Sequence, residues 1–210
     1  MIFDNELDAY SLSYKLAMDN ALAWLKASKL AFENGLYGQS YSLIITSFEE
    51  IGKAYISWLA ANEIISLEDE MLEMAYSNHE FKTLVSDLIS LQDALVLAMN
   101  LGIIEEDELW KEVTLVSGEA ALRELVERSM DREDKRRLGM YVDVWEEDSG
   151  DFTVTSPKDI IEELPRKAIE EVERTHELLS VIFQFLDENP ELMPFVIKNF
   201  KERMAEDNPK

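Results

Sequence analysis

The sequence predicts an all-α protein, on three observations. Apolar residues recur at helical spacing, i and i+3/i+4, over long stretches. The 7 glycines and 5 prolines are few for 210 residues, and most stand where a helical pattern begins or ends. Capping residues (Asn5, Ser77, Ser156 and Asn189) directly precede several of those patterns. With no internal repeat and no low-complexity linker, residues 1–210 read as one helical domain.

Asp4 or Asn5 caps a first helix that runs to Asn34-Gly35. Its apolar positions, among them Leu7, Tyr10, Tyr14, Leu16, Ala17, Ala21, Leu25 and Leu30, go nearly all the way round, which predicts burial among several neighbours. A second helix runs from about Gln39 to Asn62, with Ile44, Ile45, Phe48, Ile51, Tyr55 and Trp58 on one arc. Gly52 lies on the same arc; a mid-helix glycine costs about 1 kcal/mol against alanine, so it marks close approach by another helix. Ser66 starts a short acidic helix over Leu67 to Ala75. Ser77 and Glu80 have the spacing of a capping box. The helix they open carries the stripe Phe81, Leu84, Val85, Leu88, Leu95, Val96 and Met99, and Asn100-Leu101-Gly102 ends it. Helical patterns resume over Glu105–Val116 and from Glu119 to about Leu138, with Ser117-Gly118 as a break.

Tyr141–Trp145 and Phe152–Thr155 flank an acidic turn at Gly150 and form a loop or a small hairpin. Ser156 with Pro157 at the first helical position launches another helix, which Pro165 kinks or divides. It ends before Asn189, and Asn189-Pro190 repeats the device for a terminal helix that frays over Ala205–Lys210.

Charge and composition exclude several functions. Lysine and arginine number 20 against 44 aspartates and glutamates, a net charge of −24, with a pI near 4.3. A free-standing binder that neutralises nucleic-acid phosphates carries the opposite sign. Zero cysteines removes disulfide scaffolds, thiolate zinc sites and thiol nucleophiles. There is no apolar run of membrane-spanning length, and the N-terminus is acidic where a signal peptide is basic, so a soluble, cytoplasmic protein is expected. A Gly-rich phosphate loop, HExxH, a nucleophile elbow and the Glu-x-x-His pairs of a di-iron bundle are all missing, so neither a metal nor a cofactor is expected.

Four constellations can carry chemistry. Glu49, Glu50 and Lys53 sit beside the apolar arc of the second helix, Glu49 at its edge and Glu50 well outside it; the plainest account is a helix-stabilising ion pair. His79 and Lys82 are one turn apart, with His79 nearly opposite the stripe, so the imidazole faces solvent, a partner or a site. Such a ring is suited to accept a proton near pH 7. Arg128, Arg132 and Arg136 step by four and continue the face of Ala121, Leu122 and Leu125. They point where the core points, toward carboxylates such as Glu49 and Glu50, or else pair locally with Asp131, Glu133 and Asp134. Tyr141 and Asp143 follow directly, a phenol and a carboxylate able to orient a phosphate or ribose hydroxyl, or simply a hydrogen-bonded helix exit.

Taken in order, Ser47-Phe48-Glu49-Glu50-Ile51-Gly52-Lys53-Ala54, then His79-x-x-Lys82, then Lys135-Arg136-Arg137-Leu138-Gly139-Met140-Tyr141-Val142-Asp143, the chain resembles the AbiV-type abortive-infection proteins of the HEPN superfamily. The motifs span residues 40 to 145. The resemblance implies a HEPN-like up-and-down helical bundle with additional C-terminal helices, a homodimer, and a part in antiviral defence through RNA metabolism or translation. Many HEPN proteins are metal-independent ribonucleases whose signature is an arginine followed four to six residues later by a histidine. Here the nearest equivalent is Arg136 followed by Tyr141, and a phenol, with a reference pKa of about 10, is a weak general base at neutral pH. A catalytic version therefore needs His79 brought in spatially, with Arg132 or Arg136 on the phosphate.

Two functions follow. In one, Glu49, Glu50, Lys53, His79, Lys82, Arg136, Tyr141 and Asp143 form a cluster that cleaves RNA or binds a nucleotide. In the other, the protein is a non-enzymatic interaction module: its arginine–glutamate network is a structural clasp, and its acidic surface engages a basic protein partner or mimics nucleic acid.

Overall fold

The computed structural model describes residues 5–66, 70–88, 119–141, 143–146 and 152–198. Two long helices, α1 (Glu6–Glu33) and α2 (Tyr37–Ala61), form an antiparallel pair joined by a tight turn in which Gly35 takes a φ of +72°. That left-handed conformation is one that glycine adopts without steric cost. Two short helices follow, α3 (Glu70–Ser77) and α4 (His79–Leu88). Next come α5 (Glu119–Met140), a two-stranded antiparallel hairpin of β1 (Asp143–Glu146) and β2 (Phe152–Thr155), and the long α6 (Glu163–Glu188). The architecture is an all-α helical bundle with one small hairpin inserted, in the register Asp143 opposite Thr155 and Glu146 opposite Phe152. The predicted elements between residues 89 and 118, Asp4, and the fraying tail from Ala205 lie outside the described residues.

Helix α2 is the axis of the molecule. Ile44, Ile45, Phe48, Ile51 and Ile56 are fully enclosed. Against them pack Ala17, Ala21 and Leu25 of α1 and Val172, Leu179 and Ile182 of α6. The ring of Trp58 stacks on Phe183, with centroids 5.3 Å apart. The buried faces of α2 also carry small polar residues. Ser28 and Ser40 hydroxyls reach each other's backbone carbonyls across α1 and α2, at 2.8 and 3.0 Å, and the Ser47 hydroxyl donates to the Ala21 carbonyl at 2.7 Å. Small side chains let helices close to backbone range, and these three hydroxyls are satisfied by the carbonyls they meet there.

Two glycines set the approach of α4 and α5. A Cβ on Gly52 would overlap the Lys82 carbonyl, as its place on the apolar arc predicts. A Cβ on Gly139 would overlap the carbonyl of Gly38, and one on Gly38 would overlap Pro157. Three elements thus meet at the start of α2, where the Ser42 hydroxyl also donates to the Arg136 carbonyl at 2.7 Å.

Several local expectations are corrected. Helix α1 is not buried all round: Leu16 and Leu30 are exposed, because its neighbours lie on one side. The cap of α4 is Asn78, whose side-chain oxygen accepts from the Phe81 N–H at 3.0 Å; the Ser77 hydroxyl instead turns back to the Glu73 carbonyl and closes α3. Against α2, helix α4 buries Lys82, Thr83, Val85 and Ser86, a mostly polar face, whereas Phe81 and Leu84 of the predicted stripe are half-buried. Ser156 and Pro157 launch only one 3-10 turn (Pro157–Asp159), closed by a reciprocal capping box with Asp159. Pro165 then falls in the first turn of the separate helix α6, where a missing N–H costs nothing. Asn189 and Pro190 do open a further helical segment, a 3-10 turn (Pro190–Leu192) that runs into helix over residues 193–198, but without a side-chain cap bond: the Asn189 amide instead donates to the Phe185 carbonyl at 2.7 Å at the end of α6.

Candidate active site

Glu49 is the centre of the polar cluster. One turn of α2 carries Phe48 into the core and Glu49 to the seam between α4 and α5, where its side chain is only 6% exposed. His79, the first residue of α4, brings Nδ1 to 2.7 Å from Glu49 Oε2. Its ring is 56% exposed, and Nε2 makes no hydrogen bond among the described residues. From α5, Arg136 places Nε 3.6 Å from Glu49 Oε1. Glu133, one turn earlier, grips the same guanidinium at both Nε and Nη2, each at 2.7 Å. Glu49 Oε1 itself is buried and accepts no hydrogen bond, so its contact with Arg136 is one of charge.

Electrostatics holds this arrangement together. The hydrogen bonds that Arg136 donates to Glu133 push its guanidinium further up from its ordinary value, burial opposes the shift, and the charges of Glu133, Glu49 and Tyr141 add to it. Tyr141 leaves the end of α5, its N–H bonded to the Arg137 carbonyl at 3.1 Å, and presents an exposed phenol near Arg136. In a neutral ring, a carboxylate that accepts from Nδ1–H leaves the lone pair on Nε2, the nitrogen without a partner among the described residues. The arrangement is a carboxylate-oriented imidazole beside a held guanidinium, open to solvent at the imidazole and the phenol.

Three of the sequence-predicted groups therefore meet, with Tyr141 alongside, and others do not. Glu50 and Lys53 pair with each other at 2.7 Å and line a groove toward α1 and α3 instead. The cause is the 100° step per residue, which turns consecutive glutamates to different sides of α2. Arg132 lies over the Phe48 ring, 4.4 Å from its centroid, and bonds Glu171 of α6 at 2.8 Å. Arg128 joins the same Glu171 at 2.6 Å. Glu50 is thus not a partner of the arginines, and Arg132 ties α5 to α6 rather than joining the Glu49 cluster. Lys82 is buried on the α2-facing side of α4 and makes no ion pair among the described residues. Asp143 pairs in β1 with Thr155; its side chain lies outside the described residues. Sequence reasoning missed Glu171 and the part played by Ser42. An acidic residue on an amphipathic helix far along the chain gives no signal of its partner, although the Ser42/Gly139 pairing of small residues is of the kind that marks a crossing.

The sequence model of the HEPN_AbiV family, described as AbiV, matches residues 10–180. The chain belongs to the AbiV family of HEPN proteins. That span takes in all of α2, α4 and α5, so each residue of the Glu49–His79–Arg136 cluster falls within the AbiV match. No curated protein and no solved structure matches the chain. Among the described residues of this AbiV protein, no helix is long and apolar enough to cross a membrane.

Proposed function

We propose that this AbiV protein acts in abortive-infection defence as a cytoplasmic homodimer, and that the Glu49–His79–Arg136 cluster cleaves RNA without a metal ion. The observation that carries the proposal is the His79 ring, bonded at Nδ1 to a buried carboxylate and open at Nε2. Nε2 takes the proton of a ribose 2′-hydroxyl, and the 2′-oxygen bonds phosphorus as the bond from phosphorus to the 5′-oxygen breaks. The products are a 2′,3′-cyclic phosphate and a 5′-hydroxyl, whose proton comes from water or from the Tyr141 phenol. Arg136, held in place by Glu133, faces the charge that builds on the phosphoryl oxygens. Tyr141 occupies the place of the histidine in the usual HEPN signature, and in this reading His79 supplies the base from another helix.

RNA incubated with the full chain in the presence of a chelator tests the proposal. His79→Ala is expected to lower cleavage by about 10²- to 10⁴-fold and also to lower the melting temperature, because it strips the hydrogen bond from the buried Glu49. His79→Asn, whose side-chain amide still donates to Glu49, is expected to lower cleavage with little change in melting temperature. A wild-type protein that neither cleaves RNA nor binds a nucleotide would remove the catalytic reading. The second reading, a structural clasp in a module that engages a basic protein, is favoured by one observation: Glu133 already occupies two donors of Arg136.

A further inference from the structure

A separate groove of about 530 Å³ lies between α1, α2 and α3, away from the His79 cluster. Among the described residues its apolar wall includes Leu12 and Leu16, and its polar lining includes the Glu50–Lys53 pair, Ser13, Asn20 and Tyr76. The volume is that of a small-molecule site. Glu50 and Lys53 are both mostly buried and both line this groove, their carboxylate and ammonium 2.7 Å apart, and neither makes another ion pair among the described residues. Ser13 and Ser57 both bond the Tyr76 hydroxyl, at 2.6 and 2.8 Å, and Ser57 also donates to the Lys53 carbonyl, so α1, α2 and α3 are fixed relative to one another around the opening.

We propose that this groove binds a free α-amino acid with an apolar side chain. Adjacent opposite charges on the protein match the adjacent ammonium and carboxylate of an α-amino acid: the ammonium meets Glu50, the carboxylate meets Lys53, and the four charges alternate. The side chain lies along Leu12 and Leu16. A dipeptide separates its two charges too far to meet both residues at once. A nucleotide or other anion is opposed by the net charge of −24, whereas a zwitterion carries no net charge into a groove whose own pair sums to zero. The proposal assumes nothing about His79 or RNA.

Isothermal titration of the full chain with L-leucine, in salt high enough to screen the acidic background, tests it. Saturable binding is expected, with L-leucinamide, N-acetyl-L-leucine and glycine each weaker by about tenfold or more, a difference of about 1.4 kcal/mol. Lys53→Met should abolish the discrimination between leucine and leucinamide. Leu16→Ala, at an exposed position of the wall, should weaken leucine binding without lowering the melting temperature, and so keeps the test valid if Lys53→Met folds poorly. No binding of leucine, phenylalanine or methionine would overturn the proposal, as would equal affinity for N-acetyl-L-leucinamide or an unchanged affinity in Leu16→Ala.

Discussion

Arg136 stands between two carboxylates that would otherwise face each other at a helix seam. Glu133 holds it through two hydrogen bonds, and Glu49 reaches it from α2. Replacing it with alanine leaves the buried Glu49 beside Glu133 with no cation between them. Breaking a buried pair from one side costs about 3–5 kcal/mol. Arg136→Ala is therefore expected to lower the unfolding free energy measured by urea titration by that order, with a matching fall in the midpoint, and Arg136→Lys, which keeps the charge but not the two-pronged grip, to recover part of it. An unchanged midpoint in Arg136→Ala would mean that the cluster contributes nothing to stability. The identity of these residues was legible in the chain: the four-residue arginine step and the place of Glu49 at the edge of the apolar arc both pointed to a meeting. Which arginine meets which glutamate was not, because Glu133 and Glu171 compete for the same guanidinium row and only distance decides.

Between elements, the crossing of α2 and α5 depends on the absence of a side chain. Gly139→Ala would drive a methyl group into the Gly38 carbonyl and the Ser42 hydroxyl. A backbone carbonyl cannot rotate aside, so α5 must back away from α2 at a cost of about 1–3 kcal/mol. The retreat would also carry Arg136 away from Glu49. Gly139→Ala should thus lower both the melting temperature and any activity of the His79 cluster, whereas His79→Asn, which keeps a donor on Glu49, lowers activity alone. The joint of α1 and α6 offers a pH test. Tyr14 donates to both oxygens of Asp187 at 3.1 Å. Burial first, then the Asp187 charge, raises its phenol above the ordinary 10.0. A raised value means that the folded state holds this proton more tightly than the unfolded chain. The resulting stability is fully present below about pH 10 and is lost as pH rises through the higher folded value. Melting temperature should fall more steeply above pH 10 in the wild type than in Tyr14→Phe, in which that proton is gone.

For the molecule as a whole, the net charge of −24 is a self-repulsion spread over one compact bundle. Added salt shortens the range of that repulsion, to about 10 Å at 0.1 M and 3 Å at 1 M. The melting temperature should therefore rise between low and moderate sodium chloride, and a fall would show that the attractive surface pairs outweigh the repulsion. The same field acts on a polyanionic substrate. If the cluster cleaves free RNA, kcat/KM should increase with salt over this range, opposite to the trend of a basic nuclease.

The sequence by itself determined the helical class, the cap at Ser156, a first cap at Asp4 or Asn5, the meaning of Gly52, and the set of charged residues from which the site is drawn. These are local matters of periodicity and backbone preference, which a chain carries in its order of residues. Tertiary structure alone decided that Glu49 turns to His79 while Glu50 turns to Lys53, that Arg132 goes to Glu171, and that serines and glycines rather than a leucine stripe set the contacts of α2 with α4 and α5. The physical reason is that a long polar side chain reaches its partner across a helix crossing, and the angle and depth of the crossing are fixed by which backbones can touch.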